Sequence, residues 1–170
     1  LFSKNNIGAG IYGLSLAFAA PLILIPQSVG TAYFKNFYRL KMIPSKVIVM
    51  TVIISFTVGL FSWLIIGNII LSYFDSTFQA SIIIYYVISM AMIIKGLADV
   101  INRFLSAKGQ GILLIKIFLL TGICSLVINI ILTASFSYYG AALGLLISSI
   151  LYISLMIRYY LKFIGSSNCE

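Results

Sequence analysis

Histidine does not occur among the 170 residues, and only three residues are acidic. Without an imidazole there is no His base, no His metal ligand and no Ser-His or Cys-His nucleophile pair. Charge of any kind is scarce at 8%, against roughly a quarter in soluble domains, so the chain cannot cover a water-facing surface. Two cysteines do not make a disulfide frame. Cys124 falls inside an apolar run and Cys169 in the polar tail, and both read as free thiols. What remains is apolar: 62% hydrophobic residues and a mean hydropathy of +1.15 describe an integral membrane protein.

Charge-free runs cover residues 5–34, 47–74, 76–94 and 117–157. The last is 41 residues long, and as one straight helix it would measure roughly 60 Å, about twice the hydrocarbon thickness. It must fold back, and the stretch Thr133-Ala134-Ser135-Phe136-Ser137-Tyr138-Tyr139-Gly140 places the turn just before Gly140. The expected architecture is an all-α polytopic membrane bundle forming a single transmembrane domain over residues 1–170, with five helices near 7–30, 47–71, 79–104, 114–134 and 140–160.

Basic residues mark the cytoplasmic side of short loops. Lys35, Arg39, Lys41 and Lys46 lie between the first two helices, Arg103, Lys108 and Lys116 around the third connection, and Arg158 and Lys162 after the fifth helix. These nine fall on one side; Lys4, Asp75 and the uncharged 134–139 turn fall on the other, with Lys95 left inside a span. The N-terminus is therefore expected outside and the C-terminus in the cytoplasm. The net charge of +8 is topology rather than a nucleic-acid footprint, which needs basic and aromatic residues together on a water-facing surface. An odd number of spans, an outside start and Leu1 in place of Met make the chain read as the C-terminal piece of a longer protein.

The run Gly8-Ala9-Gly10-Ile11-Tyr12-Gly13 matches the G-x-G-x-x-G dinucleotide fingerprint by letter only. No strand precedes it, and the next acid is Asp75. Pro21 and Pro26 remove backbone donors from the first helix and free carbonyls one turn earlier, so this helix is expected to be kinked or broken, either as a static feature or as a hinge beside a cavity.

The third helix is the most informative. Lys95, Asp99 and Arg103 recur every four residues and share a face with Tyr85, Ser89 and Met92. With Ser89 near the midplane, Lys95 lies about 9 Å toward the cytoplasm and Arg103 at the interface. One reading is a snorkelling Lys95 with Asp99 neutralising both cations along the helix. The sharper reading is a stripe lining an aqueous cavity, where Lys95 holds an anionic substrate group. In the fourth helix Thr121, Ser125, Asn129 and Thr133 form a mild polar face, with Asn129 serving either as an interhelical hydrogen bond or as a ligand. Gly140, Gly144 and Ser148 put small residues on one face of the fifth helix for close packing, with the fourth helix as the immediate partner. Tyr73-Phe74, Tyr138-Tyr139 and Tyr159-Tyr160 sit where an aromatic belt anchors.

In chain order, Gly10-Ile11-Tyr12-Gly13-Leu14, Ile25-Pro26, Tyr85-Tyr86, Phe104-Leu105-Ser106-Ala107-Lys108-Gly109, Val127-Ile128-Asn129-Ile130-Ile131-Leu132 and Tyr139-Gly140-Ala141-Ala142-Leu143 resemble polysaccharide and O-antigen flippases. These belong to the multidrug/oligosaccharidyl-lipid/polysaccharide exporter superfamily, and the likeness runs over helices eight to twelve of a twelve-helix member. The chain departs from that pattern at Tyr33-Phe34-Lys35-Asn36, where the family usually carries a second proline. The resemblance implies part of a C-terminal six-helix lobe of a two-lobed transporter, not an enzyme and without a cofactor or metal. It further implies movement of an undecaprenyl-pyrophosphate-linked oligosaccharide across a bacterial inner membrane by alternating access, for O-antigen or lipopolysaccharide assembly. Implied partners are membrane lipids, the anionic lipid-linked oligosaccharide and other polysaccharide-assembly membrane proteins, with no nucleic acid. Alternative readings are a cation-coupled multidrug exporter of the same superfamily, a membrane polymerase or acyltransferase of glycan assembly, and a structural subunit. A deep carboxylate would mark the first and large polar outer loops the second, and this chain has neither.

Overall fold

The structure, a computed structural model, describes residues 2–74 and 78–167, with side chains for 7–74 and 78–165. Asp75, Cys169 and the side chain of Lys4 lie outside the described residues. The chain forms α1 (Phe2–Ala19), α2 (Pro21–Phe37), α3 (Ser45–Tyr73), α4 (Ala80–Ala107) and α5 (Gly111–Ser167), with no strand among the described residues. Helix is what this composition demands, because in hydrocarbon each backbone N–H and C=O must find its partner within the segment. The α1–α2 stretch, α3, α4 and α5 are each long and apolar enough to cross a membrane.

Between α1 and α2 the chain is kinked rather than broken. Pro21 has no N–H to give, and the ladder passes it with Ala20 N–H donating to the Leu16 carbonyl at 2.8 Å, then a tighter Ile23 N–H to the Ala20 carbonyl at 3.3 Å. Ala20 itself keeps helical torsions, φ −54° and ψ −39°. Pro26 is accommodated inside α2, which runs on to Phe37, so Lys35 belongs to its last turn and not to the loop expected after residue 30.

α5 is two helices in one. Ser137 has φ 53° and ψ −131°, outside helical space, and there the chain reverses. The reversal is proved by contacts impossible in a straight helix: a Cβ on Gly140 would collide with the Leu132 carbonyl, and one on Gly144 with the Asn129 amide. Further down the hairpin the Phe118 and Tyr152 rings stack 5.7 Å apart. The two arms, 111–136 and 138–167, are therefore antiparallel neighbours joined without a loop.

α4 is the central helix, packing against α1, α2, α3 and α5. It ends where Gly109 turns left-handed at φ 73°, with Gln110 N–H donating to the Leu105 carbonyl at 3.1 Å. That is the helix stop a glycine permits. Two apolar clusters hold the bundle. One gathers Phe37, Ile43, Phe104, Leu114 and Met156, the other Ile11, Ile84, Tyr85, Ile88 and Ala142. The first lies at the pole where the chain's basic residues concentrate. Phe104 sits among the Phe37, Tyr160 and Phe163 rings there, all edge-on at 5.4–6.3 Å. Lys108 Nζ donates to the Tyr38 carbonyl at 2.9 Å, and the Ile43 N–H donates to the Tyr160 hydroxyl at 3.0 Å. Tyr160, expected only as a membrane anchor, thus also fastens the α2–α3 loop to the second arm of α5.

Candidate functional site

Between the two clusters α4 and both arms of α5 enclose an open cavity of about 240 Å³. α4 contributes Lys95 and Asp99, the first arm Phe118, Thr121, Gly122 and Ser125, and the second arm Leu145, Ser148, Ser149 and Tyr152. The arms can diverge here because their tight contacts, Gly140 on Leu132 and Gly144 on Asn129, are nearer the turn, while the Phe118–Tyr152 stack closes the opposite end.

Lys95 and Asp99, one turn apart, behave differently. Lys95 is exposed, halfway along the helix, and has no ion-pair partner among the described residues. Asp99 is partly buried and accepts two hydrogen bonds from other helices, from Gln27 Nε2 of α2 at 2.5 Å and from the Tyr152 hydroxyl of α5 at 3.1 Å. The charge ladder that the spacing allowed does not form, because the neighbouring helices supply donors that reach the carboxylate first. Asp99 ties three elements together and leaves the ammonium of Lys95 to the cavity.

The rest of the expected stripe fans away from this site. Arg103 packs its side chain against Gly30 of α2, 3.3 Å from where a Cβ would stand. Ser89 is fully buried on the opposite side, accepting from Trp63 Nε1 at 2.5 Å and donating to the Tyr86 carbonyl at 2.9 Å. Tyr85 hydrogen-bonds Ser62 beside it. Ser89 and Tyr85 are thus the α3–α4 interface rather than a cavity wall. At roughly 100° per residue, Ser89 stands about 120° around α4 from Lys95, six residues on, so the two cannot face the same cavity.

Asn129 lies one turn beyond the cavity. Its amide donates within its own helix, to the Ser125 carbonyl at 2.8 Å and to Ser125 Oγ at 3.2 Å, rather than across to another helix. Gly140 and Gly144 meet the first arm closely, as small residues at this spacing are expected to; Ser148, one turn on, faces the cavity instead. Pro21 marks the kink, and Pro26 abuts Gly96 of α4. Cys124 is a free thiol. Three participants escaped the sequence reading: Gln27, Ser149 and Tyr152. Gln27 carries a signal in the sequence, as the one amide between residues 7 and 30 of the first helix.

Among the described residues no group of three His, Cys, Asp or Glu side chains is placed to hold a metal ion. The chain matches no family model, no curated protein and no solved structure. The plain findings are an all-α helical membrane protein and an open, largely apolar cavity that carries Lys95, Asp99 and a set of hydroxyls.

Proposed function

We propose that the chain is the working part of one lobe of a bacterial inner-membrane transporter that carries an anionic lipid-linked oligosaccharide, of undecaprenyl-pyrophosphate type, from the inner to the outer leaflet for surface-polysaccharide assembly. The observation that carries this reading is Lys95. An ammonium without an ionic partner, exposed at a hydroxyl-lined cavity midway along a membrane helix, is costly unless water or a counter-ion meets it. A pyrophosphate supplies that counter-ion, and the cation-rich pole beside the cavity draws anions toward it. The kinked α1–α2 span and the resemblance along the chain support the same reading.

The test is genetic. In a strain lacking the full-length gene, lipid-linked oligosaccharide should accumulate in the cytoplasmic leaflet while surface polysaccharide disappears. The wild-type gene should reverse both, and Lys95→Ala should restore little at equal protein level. Full restoration by Lys95→Ala, or no accumulation in the deletion strain, would end the proposal.

A further inference from the structure

The cavity wall has a definite hydrogen-bonding sense. Thr121 Oγ1 gives its hydrogen to the Ile117 carbonyl at 2.8 Å, Ser148 Oγ to the Gly144 carbonyl at 2.6 Å, and Ser149 Oγ to the Leu145 carbonyl at 2.8 Å. Tyr152 gives its hydrogen to Asp99. Carbonyls and carboxylates only accept, so each of these four hydroxyls is committed as the donor. What they turn to the cavity is lone pairs, and a hydroxyl already donating is the better acceptor for it. Of the lining hydroxyls Ser125 alone keeps a hydrogen to give, its Oγ accepting from Asn129. In formal charge the lining balances, Lys95 against Asp99.

A largely apolar wall whose hydroxyls present acceptors, with no net charge, fits a neutral ligand that combines O–H donors with an apolar face, as a sugar ring does. It opposes a carboxylate, whose oxygens would face other lone pairs with too few donors between them. Resting on the transporter reading above, we infer that this cavity seats the neutral sugar joined directly to the pyrophosphate, with Lys95 at the rim meeting the phosphate, and that it discriminates against a carboxylated sugar in that place. The adjacency follows from the lining, because Lys95 and the acceptor wall belong to one cavity.

Equilibrium binding to the full-length transporter in nanodiscs tests this with three probes: a short polyprenyl pyrophosphate without sugar, the same lipid bearing one neutral hexose, and the same lipid bearing one hexuronic acid. The hexose lipid should bind on the order of tenfold tighter than the bare lipid, and the hexuronate lipid no tighter than the bare one. Replacing Ser148 and Ser149 together by Ala should bring the hexose-to-bare ratio close to one. Thr121→Val, which keeps the shape of the residue, should lower the same ratio and serves if the double variant does not fold. Lys95→Ala should weaken all three probes alike. A hexuronate lipid that binds as well as the hexose lipid, a wild-type ratio of one, or a ratio that survives these substitutions overturns the inference while leaving the transporter reading intact. Failure of all three probes to bind overturns both.

Discussion

Gly96 of α4 lies under the ring of Pro26 of α2, so close that a Cβ on Gly96 would overlap Pro26 Cγ and stand 3.0 Å from the Ile23 carbonyl oxygen. The proline that bends the first span thus gains its place in the bundle from a glycine on another helix. Gly96→Ala should push α2 off α4 and cost about 1–3 kcal/mol, the usual penalty for overpacking. Gly13→Ala is the matched control: nothing lies within 4 Å of its added Cβ, and helix propensity favours alanine by about 1 kcal/mol. Thermal unfolding in detergent should separate the two, with the melting point lowered for Gly96→Ala and level or raised for Gly13→Ala. Equal melting points would mean that the α2–α4 contact yields freely.

Asp99 offers one carboxylate to two donors from different helices, which makes a specific prediction about coupling. Hydrogen bonds to a charged group contribute about 1.5–3 kcal/mol, and a carboxylate that loses one donor leans harder on the other. Tyr152→Phe and Gln27→Leu should therefore each destabilise. Their effects should not add, since they share a partner. A double-mutant cycle on unfolding free energies measures this, and strict additivity would show that the two bonds act on independent sites.

Much of this arrangement is visible in the residues before folding. The fold class follows from hydropathy alone, and the reversal before Gly140 from the excessive length of a charge-free run. The crowding at Gly140 and Gly144 follows from small residues at spacing four. The site was legible only in part. Spacing placed Lys95 and Asp99 on one face, but spacing within a helix says nothing about who stands opposite. Gln27 precedes Asp99 by 72 residues and Tyr152 follows it by 53, and these contacts arise only when α2 and the second arm of α5 settle on α4. The same limit explains Ser89, whose partner Trp63 comes from α3. The first span runs past the expected end near residue 30 to Phe37, and Lys35 sits in the last turn of α2, where the helix dipole favours a cation.

The gathering of basic residues at one pole predicts a fixed orientation in the membrane. On a background with Cys124→Ser in an otherwise cysteine-free full-length protein, Lys41→Cys in the α2–α3 loop and Ser135→Cys beside the hairpin turn occupy opposite poles, and both positions are exposed. In intact cells a membrane-impermeant maleimide should label Ser135→Cys and spare Lys41→Cys until the membrane is opened. The reverse pattern would place the cationic pole outside and remove the cytoplasmic entry that the proposed function requires.

Ser137 turns α5 back on itself with φ 53° and ψ −131°, a region that a side chain enters at a cost of about 1–3 kcal/mol. Glycine has no Cβ to strain there, though it loses roughly 0.5–1 kcal/mol more in conformational entropy on folding. The balance favours Ser137→Gly by about 1 kcal/mol, and Ser137→Val, branched at Cβ, should lie on the other side of wild type. Gly140, three residues on, carries the opposite expectation: its Cβ position is occupied by the Leu132 carbonyl, so Gly140→Ala must either open the hairpin or move that backbone. Melting temperatures should therefore rank Ser137→Gly above wild type, with Ser137→Val and Gly140→Ala below it. If Ser137→Gly melts lower than wild type, the reversal is made elsewhere in the 133–140 stretch, and the pairing of Gly144 with Asn129 that sets the cavity's depth would have to be redrawn.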